Sequence, residues 1–276
     1  MASDLSELRR TYARDILATA GVVSPALEAA YAAVPRESYV GPGPWRLYGL
    51  KGVIDTADAN PAHLYDNVLV ALVPEKRINN GEPSGHAMWL AAADPKPGEH
   101  AVHIGAGTGY YTAILAELVG PTGRVTAIEY DAHLARRAEQ NLARYRHVTV
   151  IHGDGVTLNF DPADVIYVNA GVTRPADHWL DRLKDGGRLV APLTASGDRP
   201  PGAVFCFTRR RDAFEAHAVS STAFIPCEGM RDQTSGDALA AAFAKGGVDR
   251  VTRLVRGAAP SDDQCWLRGD GWSLCY

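Results

Sequence analysis

The chain has 276 residues, 46% of them hydrophobic and 22% charged, with a formal net charge of −4. That length carries one large or two modest domains with a real core, and the composition is that of an ordinary globular protein. The slight acidity gives no support to nucleic-acid binding through a broad basic surface. No apolar run is long enough to span a bilayer, and the opening residues Met1, Ala2, Ser3, Asp4 and Leu5 carry no hydrophobic signal core. A cytoplasmic protein is expected, with neither nucleic acid nor membrane among its partners and its oligomeric state open. The four cysteines, Cys206, Cys227, Cys265 and Cys275, lack any Cys-x-x-Cys spacing. No metal site is therefore expected, and reduced core thiols are the simplest reading.

Leu5, Leu8, Tyr12, Ile16 and Leu17 recur at near-helical spacing, so residues 4–20 are expected to form a helix that Gly21 ends. Ser24 and Pro25 start a second helix, a hydroxyl cap followed by proline at the first helical position, which ends before Pro35. Residues 39–62 hold Gly41-Pro42-Gly43-Pro44 and Asp58-Ala59-Asn60-Pro61 with little periodicity. They read either as a lid or binding loop or as a plain surface connection. Residues 64–72 read as a strand or hairpin arm. Asn79-Asn80-Gly81 is turn chemistry, and Pro83-Ser84 leads into a helix carrying Met88, Trp89 and Leu90.

From residue 101 strands and helices alternate. The apolar run 101–104 reads as a buried strand, followed by Gly105, Gly107 and Gly109 and then an amphipathic helix over 110–119. Strands are expected over 124–129, 148–152, 164–169 and 188–193. Helices are expected over 132–144 and 175–184, the last stopped by Gly186-Gly187. This alternation predicts an α/β fold: a Rossmann-like, doubly wound, mostly parallel sheet with helices on both faces. Beyond it, 203–208 and 216–224 read as strands and 237–245 as a helix. The short strands 250–256, 264–268 and 272–275 either pair among themselves or close over the site. The domain reading is an N-terminal helical and loop cap over 1–78, a Rossmann-like core over 79–230 and a small β-rich extension over 231–276.

Strand, glycine turn and helix in that order make a nucleotide site at the carboxyl end of a parallel sheet. The spacing Gly105-x-Gly107-x-Gly109, with Tyr110 and Tyr111 next, departs from the dinucleotide pattern Gly-x-Gly-x-x-Gly and disfavours nicotinamide and flavin. Glu129 ends the following strand, where a carboxylate accepts two hydrogen bonds from a ribose diol. Asp154, in Gly153-Asp154-Gly155, ends the third strand, placed to accept a bond from an adenine amino group. Asn169 ends the fourth and faces the crevice where a reactive group would lie. Together these positions point to an adenosine ligand without a pyrophosphate.

That combination resembles the class I S-adenosylmethionine-dependent methyltransferases. More narrowly, it is similar to the protein-L-isoaspartate O-methyltransferase family over most of residues 5–230. The similarity rests on Val34-Pro35-Arg36-Glu37-Ser38-Tyr39-Val40, on Tyr65-Asp66, on the glycine loop from Ile104 through Leu115 and on Gly153-Asp154-Gly155. Leu183-Lys184-Asp185-Gly186-Gly187-Arg188-Leu189-Val190 and Phe224-Ile225-Pro226 with Gly229 complete it. The resemblance implies S-adenosyl-L-methionine as cofactor and S-adenosyl-L-homocysteine as product. It implies cofactor binding through His103, Gly105, Ala106, Gly107, Thr108, Gly109, Tyr110, Glu129, Tyr130, Asp154 and Gly155.

Two departures bear on function. Family members usually carry an acidic residue where His103 stands, bonding the amino group of the cofactor's methionine part. Histidine accepts such a bond only through an unprotonated ring nitrogen; otherwise it turns toward substrate or packs in the core. The family also has a Ser or Thr near the methyl-transfer centre, just before a Gln-Pro pair. Here the stretch reads Asn79-Asn80-Gly81-Glu82-Pro83, so the hydroxyl is missing or replaced by an asparagine amide. The expected catalytic set is Asn80, Gly81, His86 and Asn169. The two asparagines would orient an acceptor, and His86 or His103 would take a proton from an amine or phenol; His86 otherwise reads as a surface or cap histidine. The leading expectation is O-methylation of a carboxylate on a peptide, a protein or a small molecule, related to isoaspartyl repair but diverged from it. The alternatives are an N- or phenol O-methyltransferase of a small molecule or natural-product precursor, and a catalytically silent adenosine- or peptide-binding relative.

Overall fold

The computed structural model describes residues 2–49, 52–197, 200–227, 229–258 and 260–276. It opens with α1 (Ala2–Thr19) and α2 (Pro25–Ala33). Ser24 caps α2 as its sequence predicts, its Oγ accepting the Leu27 N–H at 3.3 Å with Pro25 in the first turn. Tyr12, Ile16, Leu17, Leu27 and Tyr31 form the buried faces of the two helices. The stretch expected to be mostly loop contains a hairpin, β1 (Arg46–Gly49) and β2 (Gly52–Asp55), with Leu47 opposite Ile54; Leu50 and Lys51 lie outside the described residues. β3 (Leu69–Val73) pairs with β1 and β4 (Ile78–Asn79) with β3, giving the antiparallel order β2-β1-β3-β4. The hairpin left no alternation in the sequence because β2 is exposed along its whole length. A small core of Val40, Trp45, Leu47, Leu64 and Val70 holds β1 and β3 instead.

The chain continues through α3 (Pro83–Ala93), β5 (His100–Ile104), α4 (Tyr110–Val119), β6 (Arg124–Glu129), α5 (Ala132–Leu142) and β7 (Val148–His152). Then follow β8 (Ala163–Val168), α6 (Asp177–Arg182), β9 (Leu183–Thr194), β10 (Gly202–Arg210) and β11 (Ala213–Ser221). The end is α7 (Gln233–Lys245), β12 (Arg253–Arg256), β13 (Cys265–Arg268) and β14 (Trp272–Cys275). Two units result: Met1–Gly98 with Ala106–His152, and Glu99–Gly105 with Gly153–Tyr276.

In the first unit β6 and β7 pair in parallel, with Glu129 opposite His152 at their carboxyl ends. Asp131 caps α5, its Oδ1 accepting from His133 and Leu134. In the second unit the strands lie in the order β13-β14-β12-β11-β10-β9-β8-β5. β5, β8 and β9 run parallel, and every pairing outward from β9 is antiparallel. The architecture is a mixed α/β, Rossmann-like fold with a short β-rich C-terminal extension.

Two local expectations fail for physical reasons. Gly186-Gly187 does not stop a helix; α6 ends at Arg182 and both glycines lie inside β9, whose pairing with β8 shifts register between Ala163 and Val165. Glycines in a strand mark such irregularities. Cys265 and Cys275 are not reduced thiols: they face each other across β13 and β14 and form a disulfide, while Cys206 and Cys227 are buried and belong to no disulfide. The last three strands pair among themselves and with β11. Among the described residues, no helix is long and apolar enough to cross a membrane.

Candidate active site

In the first unit the turn before α4 is drawn around Glu129. Its Oε2 accepts the N–H of Gly107 at 2.6 Å and its Oε1 that of Asp131 at 2.9 Å. The residue is only 7% exposed, and no cation pairs with it among the described residues. Burial pushes its pKa above the usual carboxylate range, against the pull of the Asp131 and Gly107 N–H groups. Each carboxylate oxygen accepts one backbone bond here and has room for a second. Thr108 is buried, and its carbonyl accepts from Asn141 Nδ2 at 2.9 Å. Ala106 and Tyr110 are buried, while Tyr130, next to Glu129, is 58% exposed.

The same unit holds Asn80, Gly81 and His86. Arg36, fully buried, donates through Nη1 to the carbonyls of Leu64 (2.6 Å) and Asp66 (3.1 Å). Its Nη2 donates to the Val68 carbonyl at 2.6 Å and to Asn80 Oδ1 at 3.0 Å. Asn80 Oδ1 also accepts the Val70 N–H at 3.3 Å. Because guanidinium only donates, these bonds fix which amide atom is oxygen. Asn80 Nδ2 is left as a buried donor with no hydrogen-bond partner among the described residues. Gly81 has φ +78°, and a Cβ there would stand 2.1 Å from His86 Nε2. The imidazole fills the space in which a side chain at position 81 would lie. It stacks on Tyr111 with centroids 3.6 Å apart and planes 10° from parallel, and the Tyr111 hydroxyl donates to the Gly81 carbonyl at 3.3 Å. His86 is thus no surface or cap residue; it is 2% exposed. It lies in the first turn of α3, where side chains lean back over the preceding turn.

In the second unit His103 lies on β5 with no exposure at all. Asn169 Nδ2 meets its Nε2 at 2.7 Å, the Tyr167 ring packs 5.5 Å away, and burial lowers its pKa to about 3. The ring is neutral, and Nε2 is the nitrogen that accepts from Asn169. Asn169 Oδ1 is buried without a hydrogen-bond partner among the described residues. Asp154 follows β7, with Oδ1 accepting the Val156 N–H at 2.9 Å in a tight turn. Gly155 offers its carbonyl to Trp179 Nε1 at 2.8 Å, and Gly105 lies against the Asn169 backbone.

A family model described as Protein-L-isoaspartate(D-aspartate) O-methyltransferase (PCMT) matches residues 57–232, well over half the chain. The chain belongs to this family. The protein-L-isoaspartate O-methyltransferase of Pyrobaculum neutrophilum is 31% identical over 212 residues, covering 75% of this chain and 92% of that protein. That of Thermotoga maritima is 29% identical over 75% of this chain, which spans 62% of that relative's length. A solved protein-L-isoaspartate O-methyltransferase superposes with a TM-score of 0.67 at 25% identity, covering 90% of this chain and 74% of the other. A structure from Plasmodium falciparum, described as a putative protein-L-isoaspartate O-methyltransferase in complex with S-adenosyl-L-homocysteine, shares the fold with a TM-score of 0.63 at 17% identity, over 80% and 98% of the two chains.

The PCMT match contains every candidate site residue from Asn80 to Asn169 and leaves out Arg36, the proline-rich stretch before residue 57 and the tail beyond 232. Within the first unit the structure brings Gly107 to Glu129, Gly81 to His86 and Tyr111, and Asn80 to Arg36. Within the second it brings His103 to Asn169. Sequence reasoning missed Tyr111 as a partner of His86, although it stands in the glycine motif. It also missed Arg36 as the clamp on Asn80; the Val34-Pro35-Arg36 motif flagged the residue but not its contact.

Proposed function

We propose that this chain transfers a methyl group from S-adenosylmethionine to a carboxylate of a peptide or protein, with acceptor contacts that depart from isoaspartyl repair. The observation that carries the cofactor is the buried, unpaired Glu129 carboxylate, pinned by two backbone N–H groups and open to two more donors. A ribose diol supplies both donors and stabilises the ionised form that burial disfavours. The Tyr130 ring beside it gives an exposed face for a base. When bound, S-adenosylmethionine provides an electrophilic methyl group on sulfur. The protein's own task is then to hold a nucleophile in line with it. An acceptor carboxylate is ionised at neutral pH and needs no base. The unsatisfied Asn80 Nδ2 donor, fixed by Arg36, suits such a carboxylate. His103, neutral and engaged by Asn169, does not replace an acid as a charge; with Nε2 accepting from Asn169, its Nδ1 carries the N–H and is a donor, not a second acceptor.

One observation favours a second reading. The imidazole of His86 fills the space over Gly81, so the acceptor meets a group able to take a proton where the family has a hydroxyl. That favours a nitrogen or phenol acceptor. Methyl transfer from labelled S-adenosylmethionine to paired isoaspartyl and aspartyl peptides separates the readings. A carboxylate acceptor gives a methyl ester that alkali releases as methanol. Alkali-stable label would replace this reading with the second, and no transfer to any acceptor with the cofactor bound would leave a silent relative.

A further inference from the structure

Within the first unit a cavity of about 660 Å³ opens beside the residues that precede the PCMT match. Pro42, Trp45 and Leu72 make its apolar walls, and Arg46, Asp55 and Arg137 supply its charges. This is the size of ordinary ligand sites, which pair apolar walls with a few placed polar groups. Arg46 is already neutralised, its Nε and Nη2 lying 2.8 and 3.0 Å from the two oxygens of Asp55. Arg137 is different. Among the described residues no carboxylate lies within ion-pair distance of it, so the cavity has one uncompensated positive charge.

That guanidinium has been given room. It stands over Gly41, where a Cβ would come within 3.0 Å of Nη2, and Gly41 adopts φ +79°. A side chain at 41 would be strained and would displace the guanidinium. Trp45 is fixed alongside, its Nε1 donating to the Gly41 carbonyl at 2.9 Å. Leu72 ties the cavity to the glycine loop, its Cδ1 lying 3.9 Å from where a Cβ of Gly107 would be. The stretch that read as either a lid or a surface connection therefore builds one wall of a cavity next to the candidate cofactor loop.

We propose that this cavity is an acceptor subsite for a carboxylate flanked by apolar groups, with Arg137 as its specificity-determining residue. The proposal rests on the methyl-transfer reading and gives its acceptor a second, non-reacting acidic group. A planar guanidinium binds a carboxylate with paired, charge-assisted bonds, and the proline and tryptophan walls select the apolar neighbours. The carboxylate belongs either to an acidic side chain of a peptide or to a free organic acid.

The test follows the Trp45 indole N–H by NMR, assigned with Trp45→Phe, while the full chain is titrated with three probes. They are acetyl-Val-Asp-Val-amide, acetyl-Val-Asn-Val-amide and succinate. The aspartyl peptide should shift the Trp45 signal saturably and bind about fivefold more tightly than the asparaginyl peptide. Arg137→Gln should abolish that preference and Arg137→Lys should keep part of it. Succinate binding as well as the aspartyl peptide identifies a free acid as the source; a response to the peptide alone identifies a peptide. No saturable shift, or equal affinity for the two peptides, overturns the subsite. S-adenosylhomocysteine is titrated into the same samples by calorimetry. Its failure to bind with the Trp45 response intact overturns the methyl-transfer reading alone.

Discussion

Gly81→Ser would restore a hydroxyl one residue before the Glu82-Pro83 pair, and the structure says that the fold resists it. The new Cβ would lie 2.1 Å from His86 Nε2 and 2.7 Å from its Cδ2, so the ring has to leave. Leaving forfeits the stack on Tyr111, worth about 0.5–1.5 kcal/mol. Repositioning a ring that is 2% exposed overpacks its surroundings at about 1–3 kcal/mol. A side chain in the left-handed region at φ +78° costs about 1–2 kcal/mol more. The expected loss is about 3–6 kcal/mol, a large share of the stability of a typical domain. Urea unfolding followed by tryptophan fluorescence measures it through the shift in midpoint at constant slope. The double variant Gly81→Ser/His86→Ala removes the collision and keeps only the backbone strain. It should be more stable than the sum of its single variants by about 2 kcal/mol. A Gly81→Ser protein within about 1 kcal/mol of wild type, or additive single variants, would refute the geometry on which the altered acceptor site rests.

Glu129→Gln places an amide N–H against one of the N–H groups of Gly107 or Asp131 and should weaken S-adenosylhomocysteine binding about 10- to 100-fold; a change under about threefold would count against the ribose contact. Burial raises the Glu129 pKa, so its charge costs stability as pH rises through that raised value. A diol donating to the ionised form makes ligand affinity rise over the same window above pH 4.5, with Glu129→Gln flat there. His103 has a folded pKa lowered from 6.5 to about 3, so wild-type stability is fully present above 6.5 and is lost as pH falls toward 3. The slope is up to about 1.4 kcal/mol per pH unit, and urea midpoints for His103→Gln should lack that increment; parallel pH profiles would show that the ring is not a buried neutral one. Iodoacetamide in denaturant without reductant should label Cys206 and Cys227 only, whereas labelling of all four cysteines would disprove the Cys265–Cys275 bond.

The Rossmann-like half was readable because its elements are set by local chemistry. Ser24, Asp131 and the glycines before α4 each mark a boundary; Glu129 closes β6, and Asp154 and Asn169 follow the ends of β7 and β8. What stayed hidden depended on contacts far apart in sequence. His86 looked like a surface residue because α3 has apolar and small residues on most sides, so periodicity does not single out a buried face. Arg36 and Asn80 meet across 44 residues. Arg137 is one of several arginines on and around α5, and nothing in the chain near it foretells Gly41 beneath its guanidinium. The β1–β2 hairpin was missed because its outer strand, although paired with β1, is exposed at every position. Its Val53 and Ile54 are exposed, so hydrophobic pattern and burial part company there.

The most direct test of the account is calorimetric titration of the full chain with S-adenosylhomocysteine at neutral pH. The account predicts one site per chain with an affinity of about micromolar or tighter, lost by at least tenfold in Glu129→Gln. No heat of binding at millimolar ligand, in a protein shown to be folded, would contradict it.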